Sequence, residues 1–179
     1  IRDSICIMTN IGQCHLEFLG SREGILKAKS EIFDFMGEDG DVCVNGDDDM
    51  LSTIKEVKGK APVTFGLSQS CRFYADDIAG RGLFGSGAVI HDRATGMSFD
   101  AQIPLPGGHM VYNALAATAA GCLLGLTPEE ISKGIAAVES VSGRSHIVQL
   151  ADKVVIDDCY NANPVSMAVS YTHLTLPTT

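Results

Sequence analysis

The spacing of apolar residues changes several times along this chain, and each change marks a structural element. Residues 4–8, Ser-Ile-Cys-Ile-Met, form a short, nearly unbroken apolar run. Such a run predicts a strand of a parallel sheet buried on both faces. Ser21 is placed to cap the next helix, and Ile25, Ala28, Ile32 and Met36 recur at helical spacing as one buried stripe. Residues 37–50 are acidic and contain glycine, so they read as a solvated loop or helix cap, and the Asp47-Asp48-Asp49 triplet within them is assigned no ligand. Residues 62–67 and 71–78 predict two short strands. From 85 to 104, apolar and polar residues alternate on both sides of Ala94-Thr95-Gly96, the pattern of an antiparallel hairpin. His91 lies on that hairpin and is assigned a structural role.

An Ala-rich segment after Pro104 and the Gly107-Gly108 pair predicts a helix that Gly125 can end. Thr127-Pro128-Glu129-Glu130 opens another: threonine as cap, proline at the first helical position, and glutamate three residues after the cap. Ile131, Ile135 and Val138 supply its buried face. Val154-Val155-Ile156 then leads into an acidic turn, Asp157-Asp158. Residues 169–179 are β-prone and carry no helical stripe. The expected fold class is α/β, a mostly parallel sheet flanked by helices with an added antiparallel hairpin.

With 179 residues the chain is long enough for one good core, or one domain and part of another. Thirteen Lys+Arg against 22 Asp+Glu give a net charge of −9, which argues against a nucleic-acid or anionic-membrane surface. No apolar run reaches the length of a bilayer span. Six cysteines are scattered without a Cys-x-x-Cys pair, which suggests a reducing cytoplasm and neither a disulfide scaffold nor a zinc site.

Candidate chemistry concentrates in three stretches. The first, residues 9–33, puts His15, Glu17 and Lys29 between a strand end and a helix, where open α/β sheets bind their ligands. At about 100° per residue, Lys29 falls on the edge of the apolar stripe and Lys27 on the opposite side. A lysine against an apolar face snorkels to water, is paired, or is modified. Taken alone, Lys29 also reads as a snorkelling surface lysine and His15 as a loop histidine. The second stretch is Pro104-x-Pro106-Gly107-Gly108-His109-Met110-Val111-Tyr112-Asn113-Ala114, and the third combines Gly143-Arg144 with Asp157-Asp158-Cys159-Tyr160. The bland alternatives there are a helix-surface amide for Asn113, a helix-start residue for His109, a surface ion pair for Arg144 and an Asx-turn for Asp158.

Thr9-Asn10-Ile11-Gly12 with His15, Glu17, Gly20-Ser21 and Ala28-Lys29-x-Glu31-Ile32-Phe33 resembles the central ATPase domain of the Mur ligases, closest to the MurF type. The resemblance covers about residues 1 to 168, and the type rests mainly on residues 160–167, Tyr-Asn-Ala-Asn-Pro-x-Ser-Met. It implies that His15 is a magnesium ligand and that Lys29, carbamylated by carbon dioxide, holds the same ion, with Glu17 orienting His15 or the water shell of the metal. It further implies that Asn113 meets the adenine of ATP, with His109 beside it, that Arg144 lies near the phosphates, and that Asp158 contacts the ribose. Met110 stands where the commoner family pattern has its first asparagine.

The implied activity is an ATP-dependent amide ligase of peptidoglycan precursor synthesis, joining D-alanyl-D-alanine to UDP-N-acetylmuramoyl-tripeptide through an acyl phosphate. The rivals are another Mur or folylpolyglutamate synthase-like amide ligase, and a non-catalytic nucleotide-binding remnant. The expected organisation is a partial central domain over residues 1–144, the start of a Rossmann-like C-terminal domain over 145–168, and a non-native tail over 169–179. The chain reads as an internal fragment. It contains no Gly-x-x-x-x-Gly-Lys-[Ser/Thr], a loop the resemblance places before Ile1, and by itself it is expected to be inactive.

Overall fold

The computed structural model describes residues 5–13, 19–144, 146–160 and 167. Six strands form one sheet in chain order: β1 Ile5–Met8, β2 Asp41–Asn45, β3 Val63–Gly66, β4 Phe73–Gly80, β5 Ser86–Asp92 and β6 Met97–Ile103. The first four are parallel and the last two antiparallel, so the hairpin extends the sheet as expected. Among the described residues four helices accompany it: α1 Arg22–Ser30, α2 Ile32–Phe35, α3 Met110–Leu123 and α4 Pro128–Ala136. A separate antiparallel pair, β7 His146–Gln149 and β8 Val154–Asp157, follows.

Two cores lie in separate clusters. Cys43, Phe65, Phe73, Ile90, Val111, Leu115 and Ile131 make the larger one with α3 and α4. Met8, Ile11, Ile25, Val42, Val44 and Leu51 make the smaller one with α1. Phe65 and Phe73 are fully buried, and each contributes about 1.5–3 kcal/mol of transfer free energy.

The strand β2 corrects the reading of residues 37–50 as a loop. Val42 and Val44 belong to one core and Cys43 to the other, so this short strand is apolar on both faces although acidic and glycine residues flank it. The stripe of the first helix is also shorter than its spacing suggests. The helical run breaks at Glu31, and while Ile25 and Met36 are buried, Ile32 is exposed. Lys29, at the edge of that stripe, is exposed. In α4, Ile131 and Ile135 are buried, whereas Val138 lies past the helix end and is exposed. The Thr127 capping box forms as its residues require, with Glu130 Oε2 accepting from the Thr127 N–H at 2.8 Å.

One ion pair fixes the hairpin. Asp92, with its side chain only 3% exposed, accepts from Nε and Nη2 of Arg72 at 3.1 Å each, and from the Ala94 N–H and the Thr95 hydroxyl. Burial pushes the Asp92 carboxyl up, but these donors outweigh it and hold the group below its usual value near 3.8. A carboxylate with a depressed folded-state pKa stabilises the fold at all pH above its unfolded value and loses that contribution as pH falls through the folded one. Asp92→Asn is therefore expected to cost about 1–3 kcal/mol at neutral pH. Urea unfolding of both proteins should show this difference shrinking below about pH 4.

Candidate functional site

The carboxyl ends of β1, β2 and β3 lie side by side because the three strands are parallel and in register, Ile7 opposite Cys43 and Cys43 opposite Val63. The loop leaving β1 is held from several sides. Asn45 Nδ2 donates to the Thr9 carbonyl at 3.0 Å, Asp48 Oδ2 accepts from the Ile11 N–H at 2.9 Å, and Arg22 Nε donates to the Ile11 carbonyl at 3.0 Å. Lys29 Nζ reaches back to the Asn10 carbonyl at 3.1 Å.

The acidic triplet is the bracket for this end of the sheet. Asp47 accepts from the Leu67 N–H, Asp48 caps the 3-10 turn Leu51–Thr53 through the Met50 and Leu51 N–H groups, and Asp49 pairs with Arg22. Hydrogen bonding to Arg22 holds the Asp49 carboxyl below its usual range. All three carboxylates have protein partners.

Lys29 lines a cleft of about 270 Å³ with Cys6, Ile7, Met8, Thr9, Asn10 and Ile32. Among the described residues no carboxylate pairs with its ammonium, and no group of three His, Cys, Asp or Glu side chains could hold a metal. His15 and Glu17, the other expected metal-side residues, lie outside the described residues. What the structure offers at this point is a solvent-accessible amine at the mouth of a strand end, its chain length carrying it over the loop where ligands of α/β sheets sit.

The second group gathers at α3. His109 is the residue before the helix, and its ring stands over Gly107, where a Cβ would lie 2.6 Å from Cε1. Asn113 is exposed on the first turns of α3, with Nδ2 3.2 Å from the Met110 sulfur. It borders an apolar cleft of about 340 Å³ whose walls include Ile103, Pro104, Ala117, Ile131 and Ile135. An amide at the rim of an apolar slot can both donate and accept toward the edge of a flat heterocycle.

The third group is drawn together by backbone. Gly143, at φ +78°, donates its N–H to Asp157 Oδ2 at 3.0 Å and accepts from the Tyr160 N–H at 2.9 Å. Arg144 then lies over the Tyr160 ring at 4.3 Å, and Asp158 is exposed on the turn after β8. A hydrogen bond from the Cys159 thiol, then the Gly143 N–H, holds the Asp157 carboxyl below its usual range. Arg144 and Asp158 thus sit on one locally stapled unit. The clefts of Lys29 and Asn113 share no lining residue, so the candidates occupy three neighbourhoods. His91, bonded to Asp76 at 2.8 Å and stacked on Tyr74, is structural as expected. Residues with clear positioning contacts that the sequence did not single out are Arg22, Asn45 and Tyr112. Only Asn45-Gly46-Asp47, a turn-forming triplet at a strand end, carried a local signal for any of them.

The family described as the Mur ligase middle domain matches residues 1–121. The UDP-N-acetylmuramoyl-tripeptide–D-alanyl-D-alanine ligase of Bacillus subtilis is 34% identical over 162 residues, 90% of this chain and 34% of that protein. The Escherichia coli protein of the same name is 33% identical over 172 residues, 94% of this chain and 37% of that one. The chain thus spans about a third of the length of these curated relatives. A crystal structure of MurF from Acinetobacter baumannii superposes with a TM-score of 0.86 at 32% identity, covering 96% of this chain and 37% of that one. The MurF ligase of Thermotoga maritima in complex with ADP shares the fold at a TM-score of 0.80 and 24% identity, over 97% of this chain and 39% of that one.

Proposed function

The chain belongs to the Mur ligase family, and on that premise we propose that the protein carrying it is the ATP-dependent ligase that adds D-alanyl-D-alanine to UDP-N-acetylmuramoyl-tripeptide in the bacterial cytoplasm. One observation carries the choice of substrate: the relatives at 33–35% identity over nine-tenths or more of this chain bear that one name. A D-glutamate-adding relative is 28% identical. Among the described residues no helix is long and apolar enough to cross a membrane.

In the proposed reaction the terminal phosphoryl group of ATP passes to the terminal carboxylate of the tripeptide. The amine of D-alanyl-D-alanine then attacks that acyl phosphate, forming the amide and releasing inorganic phosphate and a proton. Lys29 Nζ, accessible at the end of β1 and without a carboxylate partner among the described residues, would take up carbon dioxide, losing two protons from the ammonium and becoming a carbamate. Its oxygens and His15 would hold Mg²⁺, a hard cation that prefers oxygen ligands and neutralises charge developing on the phosphates. Glu17 would orient His15 or the water shell of the metal. Asn113 holds the adenine edge from the rim of its apolar cleft, with His109 beside it. Arg144 takes phosphate charge and Asp158 the ribose hydroxyls, both offered by the Gly143 staple. Residues 1–144 form the ATPase portion, 145–168 open the ligase domain, and 169–179 form a non-native tail.

The test is phosphate release by the complete protein with ATP, Mg²⁺ and UDP-N-acetylmuramoyl-tripeptide, offering D-alanyl-D-alanine, a diamino acid or glutamate in turn. Release dependent on D-alanyl-D-alanine alone is the expected result. Release with either other amine, or with glutamate once UDP-N-acetylmuramoylalanine replaces the tripeptide, points to a sibling ligase, and no release with any of these points to a nucleotide-binding remnant.

A further inference from the structure

The clefts of Lys29 and Asn113 are separate, yet a ligase that uses both must keep them in register. A single run of hydrogen bonds joins them. From the β1 end, where Lys29 Nζ meets the Asn10 carbonyl, the neighbouring Thr9 carbonyl accepts from Asn45 Nδ2 at 3.0 Å. Asn45 Oδ1 in turn accepts from the Asp47 N–H at 3.0 Å. The Asp47 carboxylate then accepts from the Leu67 N–H at 2.5 Å, from the Ser68 N–H at 3.3 Å, and from the Tyr112 hydroxyl at 3.1 Å. Tyr112 sits on the first turn of α3, next to Asn113 and three residues after His109.

We propose that Asp47 and Tyr112 are a positioning pair for ATP, setting the first turn of α3 against the ends of β1, β2 and β3 so that Asn113 and Lys29 engage one nucleotide at once. The inference rests on the ligase reading above, because it assigns a nucleotide to both clefts.

The local chemistry suits a fixed link. Burial, and next the neighbouring Asp47 carboxylate, push the Tyr112 phenol up to about 12, so it stays a donor at every working pH. The carboxylate packs closely on the strand behind it: a Cβ at Gly66 would come within 2.7 Å of Asp47 Oδ2, so a larger residue there would have to displace the carboxylate. The residues joined, 47 and 112, are 65 apart in sequence, and this bond bridges the β2 end to α3. The Asp47 carboxylate is also exposed, so water can replace the lost hydroxyl and the fold has little to lose. Registry is a different matter, since a displacement of about 1 Å in a reacting complex can cost on the order of 100-fold.

The experiment is steady-state kinetics and thermal unfolding of the complete ligase with Tyr112→Phe, Asp47→Asn and the double variant. Tyr112→Phe should raise KM for ATP on the order of 10-fold, leave KM for UDP-N-acetylmuramoyl-tripeptide within about twofold, and shift Tm by less than about 2 °C. Asp47→Asn, whose amide can still accept from the phenol, should raise KM for ATP less than Tyr112→Phe, and the double variant should be no worse than Tyr112→Phe alone, since loss of the hydroxyl already removes the link. An unchanged KM for ATP in Tyr112→Phe overturns the proposal. So does an equal rise in both KM values, or a large fall in Tm that tracks the kinetic loss, since either marks a merely structural contact. A wild-type ligase that neither binds nor turns over ATP removes the ligase reading itself, and this inference with it; an active wild type with an indifferent Tyr112→Phe removes this inference alone.

Discussion

Lys29→Ala should lower kcat/KM of the complete ligase by about 100-fold or more, the scale seen when a preorganised group at developing charge is removed. The expectation follows from the proposed carbamate, which the geometry around the residue accommodates. Its amine stands at the carboxyl end of β1, bonded to the Asn10 carbonyl, and among the described residues no carboxylate neutralises it. A bare ammonium there would repel a divalent cation, whereas a carbamate reverses the sign of the charge and extends the oxygens farther than an aspartate reaches. Two readouts separate the carbamate from a simple charge effect. Activity of the wild-type enzyme should fall in carbon-dioxide-depleted buffer and return with bicarbonate, and labelled bicarbonate should give a carbamate signal by ¹³C NMR that Lys29→Ala lacks. Lys29→Arg, which keeps the charge but forms no such adduct, should be as impaired as alanine. An active Lys29→Arg enzyme indifferent to bicarbonate would leave Lys29 as a cationic contact only.

The largest effect on stability is expected at Gly85, in the turn between β4 and β5. Its backbone lies at φ +89° and ψ −143°, a region open almost only to glycine. A Cβ there would also stand 1.8 Å from the Ile103 carbonyl oxygen and 2.8 Å from the Pro104 carbonyl carbon. Those neighbours are backbone and have no rotamer to change, so the strands themselves must part. Gly85→Ala is thus expected to cost about 3 kcal/mol or more, the conformational and overpacking penalties together. Gly96 is the internal control. It has φ +74° and open space where a Cβ would stand, with no atom within 4 Å, so Gly96→Ala carries only the conformational cost of about 1–2 kcal/mol. Urea unfolding of both variants decides the matter: equal losses would mean that the contact with Ile103 relaxes freely.

Elements whose signals are local were legible in the chain. Thr127, Pro128 and Glu130 carry their helix start within four residues, and the capping box forms as written. The alternation around Ala94-Thr95-Gly96 gave the hairpin, because a period of two needs no distant partner to be read. The strand β2 was not legible, for the opposite reason. Its five residues, Asp41-Val42-Cys43-Val44-Asn45, are flanked by acidic and glycine residues, and only β1 and β3 on either side, with α1 and α3 above and below, make an apolar triplet into the middle of a sheet. Ile32 failed likewise: helical spacing counts on an unbroken helix, and the break at Glu31 turned it outward.

The candidate site divides along the same line. Residue types and local spacing were enough to mark three chemical stretches and to propose residues within them, and their motifs carried the resemblance to the family, since an amine near a strand end or an amide behind a glycine loop is a property of a short segment. Which of them meet was decided by tertiary structure alone. The Asp47–Tyr112 bond spans 65 positions, Gly143 is stapled to Asp157 across 14, and the acidic triplet became a bracket for the β1 loop because β1 and β2 are parallel neighbours. No local pattern encodes such pairings, because each depends on which strands lie side by side and on which faces their helices cover.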